Sequence, residues 1–410
     1  MENRAGKPRI QTGLSIDLSQ TAKVFFKMAV TATKILDARA AAEEAWADSQ
    51  AVKSRRYMPP LKTVGTILSQ QTARLEPLKS RRNCGTMKVG WKALCQGTPS
   101  ITTGITKINT FLCDIVGTGS NTAVATYTMD TAITSSGFEI EDDDCENLYT
   151  TEQLLTDGLL LQHKEIVEKL NEFVMSKLVS FAGANNYLGN GLVTDAGGDL
   201  YKVSSYDANA ATLVPYLLRA ADINKMSDPF VFTGDALYNN KYVDAKQKGT
   251  AADKGYWDMW GDAAIVEDFL TFNNLSMPND FFFVDAGSVA IVTKYTGSAI
   301  PEEKDYGFWL STQPLLGGII RDNAGDPLYV DVYHKRQKRT KETVGGKTRC
   351  VMVDTFVLEL KVNVFLNPLA CNNNYTGVIN FQKDATIPPF GVSASFAKLP
   401  DESMGAYQAV

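Results

Sequence analysis

The sequence predicts an α+β chain, and three observations carry that reading. One long amphipathic stretch, Thr150–Ala182, has apolar residues at helical spacing. Further on, Phe356-Val-Leu-Glu-Leu-Lys-Val-Asn-Val-Phe365 alternates as a half-buried antiparallel strand does. Between them, residues 200–330 mix helical and strand signals in a block that could form its own domain. With 410 residues, 44% of them hydrophobic, the chain can bury one large core or two to three smaller ones.

Taken in order, residues 1–15 read as an arm. From Asp17 to Ser54 the composition is helical, with an Ala-rich run at 37–47 and one sticky face made by Val24, Phe25, Met28, Ala29 and Ile35. Such a helix needs a partner surface, either in this body or on a neighbouring copy. Arg55-Arg56-Tyr-Met-Pro-Pro60 breaks it, and residues 55–100 then read as a polar, basic, extended excursion without a core. Residues 100–138 are strand-prone, Ala123–Met129 alternating clearly.

The acidic run Glu139–Glu146 precedes the long stretch, where Thr150 and Gln153 are spaced as a capping box. Leu155, Leu159, Ile166, Leu170, Phe173, Val174, Leu178 and Phe181 form its apolar stripe. About 33 residues at ~1.5 Å each make a rod of roughly 50 Å, which suits a scaffold element. The tract 183–199, with Gly183, Gly189 and Gly191, reads as a hinge. Beyond it, helices are expected over Ala208–Lys225, Ala236–Lys246 and Gly287–Tyr295, a strand followed by a turn over Pro229–Asp235, and a strand over Asn279–Asp285. Leu328–Tyr333 and Cys350–Phe365 are strands, and His334–Lys341 reads as a basic hairpin-like projection.

Charge is uneven. Residues 1–100 hold 17 Lys and Arg against 7 Asp and Glu, while residues 101–410 hold 24 against 39. A basic quarter on an acidic body points to contact with nucleic acid or to complementary charge between copies of the chain. The residues this singles out are Arg55, Arg56, Lys79, Arg81, Arg82, Lys335, Arg336, Lys338 and Arg339 on the basic side. Asp142, Asp143 and Asp144 stand on the acidic side. The three aspartates are adjacent and lack calcium-loop spacing, so a docking surface is the better reading than a metal site.

Other chemistry is not indicated. The six cysteines include no C-x2-C pair and are expected as free, mostly buried thiols. The histidines, His163 and His334, have neither metal-ligand nor nucleophile-partner spacing. Gly117-Thr-Gly-Ser-Asn-Thr122 lacks the Gly-Lys-Ser/Thr ending of a phosphate loop, and no G-x-S-x-G elbow is present. The basic clusters lack the aromatics of a single-strand binder. No apolar run of about 18 residues spans a membrane, and the first residues lack a signal-peptide core, so intracellular folding is expected.

The order of parts, together with Phe138–Ala184, Ser227-Asp-Pro-Phe-Val-Phe-Thr-Gly-Asp235 and Val364-Phe-Leu-Asn-Pro-Leu369, resembles the major capsid proteins of tailed bacteriophages, the Hong Kong 97-like fold. It looks most like those of phages infecting Bacteroidetes-type bacteria. The resemblance implies an N-terminal helical arm (1–54), an extended loop (55–100) and a peripheral domain in two parts (101–199, with spine helix 150–182, and 331–410). An axial domain at 200–330 completes it. It implies a non-enzymatic shell protein that assembles into hexamers and pentamers around a phage genome. No cofactor or metal is implied. The implied partners are other copies, a portal, auxiliary or scaffolding proteins, and packaged double-stranded DNA touched non-specifically, with no membrane. The location would be the virion, assembled in the host cytoplasm. Two alternatives stand beside it. One is an encapsulin-type nanocompartment shell. The other is an enzyme or binding module in residues 200–330, where Tyr256-Trp257-Asp258-Met259-Trp260 would be a ligand platform.

Overall fold

The computed structural model describes residues 32–51, 62–76, 85–93, 122–141, 149–183, 193–195, 200–204, 218, 220–224, 226–237, 259–260, 263–298, 301–305, 307–315, 326–344, 347–369 and 376–386. Helices and strands combine in them as an α+β fold.

Helix α1 (Ala32–Ala51) is the described part of the arm; Val24, Phe25, Met28 and Ala29 lie outside the described residues. It buries Ile35, Ala38, Ala42 and Trp46 against the long helix, so its partner surface lies in its own chain. The region after it corrects the expectation of an excursion without a core. Helix α2 (Lys62–Gln70) buries Val64, Ile67 and Leu68. Strands β1 (Arg74–Leu75), β2 (Thr86–Lys92) and β3 (Thr122–Thr128) form an antiparallel sheet. Met87, Val89 and Trp91 are buried beneath it. The segment Thr-Met-Lys-Val-Gly-Trp-Lys alternates with period two, but its lysines on the outer face made the stretch read as uniformly polar.

Strands β4 (Ala132–Thr134) and β5 (Phe138–Glu141) lead to helix α3 (Thr151–Phe181). Thr150 caps it. Its hydroxyl accepts from the Gln153 amide at 3.2 Å, and the Gln153 side chain accepts from the Thr150 amide at 3.1 Å. Leu155, Leu159, Ile166, Leu170, Val174 and Leu178 are buried, with Phe173 and Phe181 half-buried on the same core. With Leu160, Val167 and Met175, nine large apolar side chains leave water, a gross stabilisation of roughly 15–25 kcal/mol as an upper bound.

Two larger sheets pack on this helix. The mixed sheet contains β6 (Val193–Asp195), β7 (Leu200–Ser204), β8 (Pro229–Thr233), β9 (Met259–Trp260), β10 (Ala263–Glu267) and β11 (Asp280–Asp285), with the short helix α4 (Phe269–Asn274) between β10 and β11. The second sheet contains β12 (Val289–Lys294), β13 (Glu302–Asp305), β14 (Phe308–Pro314), β15 (Tyr329–Val344) and β16 (Lys347–Leu366), and the last strand, β17 (Val378–Asp384), returns to the first. The strand orders are β6-β7-β17-β11-β8-β10-β9 and β12-β16-β15-β14-β13, with β4 and β5 also paired to β16. In the mixed sheet β8 and β10, and β7 and β17, run parallel; the other pairs are antiparallel.

This topology corrects two expectations. The 200–330 and 331–410 boundaries do not follow the sheets: β12–β14 belong with β15 and β16, and β17 belongs with β11. The helix expected at Gly287–Tyr295 is strand β12, buried throughout. Val289 and Ile291 face the spine core while Ala290 and Val292 face Trp91 and its neighbours. A strand covered on both faces is apolar without alternation, and periodicity cannot tell it from a buried helix. Strand β11 is covered in the same way, Phe282 and Val284 on one face and Phe281 and Phe283 on the other. Of the other helices expected beyond the tract, residues 220–223 are helical, and most of 236–246 lies outside the described residues.

Gly158 shows how closely the spine approaches the second sheet. A Cβ there would lie 2.4 Å from the Phe138 ring, which is itself stacked on Phe356 with centroids 5.0 Å apart. In an open helix Gly→Ala gains about 1 kcal/mol. Here Gly158→Ala is expected to lose about 1–3 kcal/mol from overpacking instead. Urea unfolding of the variant checks the sign, and adding Phe138→Leu should recover part of the loss.

Candidate assembly surface

The basic projection is the outer part of one hairpin. β15 and β16 pair from Asp331 with Glu359 to Val344 with Lys347. On one side β14 accompanies β15 only as far as Lys335, opposite Phe308. On the other, Glu141, the last described residue of β5, lies opposite Val353 of β16. Among the described residues, 336–344 and 347–352 therefore pair only with each other, a two-stranded ribbon leaving the sheet. Its sequence has six Lys and Arg and one Glu. Two strands by themselves are marginal in water, so the ribbon depends on how its base is held.

The base is held by buried polar and aromatic contacts. His334 Nε2 lies 2.7 Å from Asp354 Oδ1, both residues buried, and its ring stacks on Phe356 at 4.5 Å. Phe138, Phe356 and His334 sit opposite one another on three adjacent strands, so the stack crosses the sheet. Arg336 places a guanidinium nitrogen 3.7 Å from Asp354, and its amide donates to the Gly307 carbonyl at 2.7 Å. Arg339 reaches across to Glu139 and donates to both carboxylate oxygens, at 2.7 and 2.8 Å. That guanidinium holds the Glu139 carboxyl below its usual range, and the carboxylate raises Arg339 in turn. Lys335 and Lys338 are exposed.

The four basic residues expected on the projection thus divide. Arg336 and Arg339 are engaged within the chain, whereas Lys335 and Lys338 face solvent. Glu139, the first residue of the acidic run, is taken by Arg339. Arg55, Arg56, Lys79, Arg81, Arg82, Asp142, Asp143 and Asp144 lie outside the described residues, as do Gly189 and Gly191. Gly183 is buried. Its amide donates to the Val378 carbonyl at 3.4 Å, and a Cβ on it would lie 2.2 Å from Thr376. The chain makes a close approach at this point of the expected hinge.

Several buried polar residues that pattern reading passed over position this surface. Asp331, 1% exposed, accepts from the amides of Thr296 (2.8 Å) and Gly297 (3.2 Å) and from the Thr312 hydroxyl (2.6 Å), with Lys361 3.4 Å away. It ties the turn after β12 to β15. Gln162 and Glu165 of the spine hold the turn between β4 and β5, accepting from the Gly137 and Ser136 amides at 2.8 Å each. The one sequence signal for Asp331 is a carboxylate amid the apolar residues of Tyr329–Tyr333.

The remaining candidates carry no constellation. His163 is buried in the spine. Met259 and Trp260 form β9 at the edge of the mixed sheet, and Tyr256–Asp258 lie outside the described residues. Among the described residues no group of three or more His, Cys, Asp or Glu could hold a metal, and no helix is long and apolar enough to cross a membrane. Cys350, on the ribbon, is a free and exposed thiol; Cys84, Cys95, Cys113, Cys145 and Cys371 lie outside the described residues.

No protein-family model matches the chain, and no curated protein matches it. Solved structures do. The chain is similar to one titled "Mycobacterium phage Bobi", with 12% identity, a TM-score of 0.39, and coverage of 78% of this chain and 90% of that one. Against "Mycobacterium phage Adephagia" the identity is 14% and the TM-score 0.38, covering 76% and 91%. Against "Capsid of Ralstonia phage GP4" the identity is 9% and the TM-score 0.35, covering 77% and 88%. None of these titles concerns a Bacteroidetes-type host.

Replacing Asp331 with Ala would leave the buried Gly297 amide and Thr312 hydroxyl, and the half-buried Thr296 amide, without this acceptor. A loss of roughly 3 kcal/mol is expected. Thermal unfolding measures it, and hydrogen exchange should rise first at residues 295–298.

Proposed function

We propose that this chain is the major shell subunit of a tailed bacteriophage, with the Hong Kong 97-like organisation that its sequence resembles. On this reading α3 is the spine, the mixed sheet is the axial domain around capsomer axes, and the sheet of β12–β16 is the peripheral domain. Hexamers and pentamers of the chain form the icosahedral shell of the virion, built in the host cytoplasm around double-stranded DNA. Portal and auxiliary or scaffolding proteins complete the particle.

The observation that carries the proposal is the combination of a 31-residue spine, braced under two seven-stranded sheets, with a basic two-stranded ribbon that no third strand joins among the described residues. A subunit that reaches out in this way is made for contact with copies of itself. Individual surface ion pairs contribute little, but a shell repeats each one many times. Lys335 and Lys338 are available for such pairs, while Arg336 and Arg339 stiffen the ribbon from within. The basic residues Arg55, Arg56, Lys79, Arg81 and Arg82 and the aspartates 142–144 are assigned to the same kind of contact between neighbours, with Gly183, Gly189 and Gly191 at the joint between the two halves.

Electron microscopy and light scattering of the purified chain test the reading. Capsomers, tubes or closed shells are expected, and a persistent monomer under all assembly conditions overturns it. Reversing the charge at Lys335 and Lys338, or at Arg81 and Arg82, should reduce assembly by at least tenfold while circular dichroism stays that of the parent. Particles of normal yield from both double variants would remove the charged contacts from the mechanism.

A further inference from the structure

Six strands end a sheet among the described residues, and five of them carry a guard against pairing with another chain. Strands β1 and β9 are two residues long and β6 three. Strand β13 is Glu-Glu-Lys-Asp, with an irregular register. Strand β12 is buried, and the Gln71 side chain accepts from its Ile291 amide. The sixth, β3, is Thr-Ala-Val-Ala-Thr-Tyr-Thr and has no such guard. Its seven residues pair with β2 in unbroken register and include no charge, Pro or Gly. Val124 on it is 74% exposed, more than any other large apolar side chain among the described residues.

The backbone groups of β3 alternate in direction. The Met129 amide donates to the Gly85 carbonyl at 2.9 Å, so residues 123, 125 and 127 turn their amides and carbonyls to β2. Residues 124, 126 and 128 turn theirs to the open edge. The Thr128 carbonyl accepts from the Asn363 side chain at 3.5 Å. Val124 and Thr126 each present an amide and a carbonyl to an edge that no strand joins among the described residues.

The occupant that fits this edge is another copy of the same strand. A charged strand would find no opposite charge on β3, whereas β3 is complementary to itself. In antiparallel pairing about Ala125, Val124 exchanges hydrogen bonds with the partner's Thr126, and Thr126 with the partner's Val124, four bonds in all. These β-branched side chains also meet on the outer face, a pairing that sheets favour. Ala125 meets the partner's Ala125 at the closer spacing, where small side chains fit. Lys88 of β2, opposite Thr126, would stand at least three strand spacings, about 14 Å, from its copy. That is beyond the screening length of about 8 Å, so the basic outer face does not oppose the contact.

We propose that edge strand β3 pairs with β3 of a second copy, antiparallel about Ala125, joining two three-stranded sheets into one of six across a two-fold axis. The pairing is separate from the ribbon and does not rest on the shell function; a chain that forms no shell can still make it.

One strand pair falls short of the roughly 1,200 Å² of a stable interface, so the dimer is weak and is best trapped. In the full chain, Ala125→Cys brings two Cα atoms about 4.5 Å apart, within disulfide reach. Oxidation should give a dimer whose bridge mass spectrometry maps to 125–125. Ala123→Cys, with its copies roughly 14 Å apart, should give no 123–123 bridge. Adding Val124→Lys to Ala125→Cys sets two cations diagonally across the axis and should cut the yield about fivefold. In the unaltered chain, the Val124 and Thr126 amides should gain hydrogen-exchange protection as protein concentration rises, a reading that stands if Ala125→Cys does not fold. No 125–125 bridge in the folded variant, equal bridging at 123, an undiminished yield with Val124→Lys, or protection of the two amides that ignores concentration would each overturn the pairing.

Discussion

Burial of one face of the spine helix is the constraint on which the rest of the structure depends. Helices α1, α2 and α4 and strands of both large sheets share the core that α3 completes. Neither sheet could stay folded with Phe282 or Phe356 facing water, so each needs this helix as its cover. The helix in turn has too little of its own stability at any one point to stand alone, and takes it from packing along its length. The strands reach their places around it by crossing over: β12 leaves the mixed sheet for the second one and β17 comes back.

Apolar burial sets which surfaces come together, and buried polar groups set where. Asp285 accepts from the Ser227 and Asp228 amides at 2.9 and 3.1 Å, joining β11 to the entrance of β8. Asp268 caps α4 and accepts from Thr63 of α2 at 2.8 Å, across 205 residues of sequence. The Gln71 side chain accepts from the Ile291 amide at 3.0 Å, aligning β12 beneath the three-stranded sheet. Each is a carbonyl or carboxylate that would cost free energy if left without its donors, so each selects one register among those the apolar contacts alone would permit.

Much of this was legible in the residues. The spine could be read from its stripe and from Thr150 and Gln153, because helix period and capping are local physics. Strands β8, β11 and β16 and the α+β class followed from local pattern as well. What could not be read were the elements whose surroundings come from far along the chain. Strand β12 reads as a helix until both its covers are known, and β2 reads as surface until Ala290 and Val292 are seen beneath Trp91. At the candidate surface, the basic residues were visible as charge. That Arg339 is spent on Glu139, 200 positions away, and Lys338 is not, was invisible.

The sequence by itself determined the length and ends of the spine, the strand segments with clear alternation, and the uneven charge along the chain, since all three depend on neighbours within a few residues. The tertiary structure alone decided which strands share a sheet, that among the described residues no third strand joins the outer part of the hairpin β15–β16, and that Lys335 and Lys338 are exposed while Arg339 is held by Glu139. Those outcomes rest on pairings between residues tens to hundreds of positions apart, and no local pattern records a partner that distant.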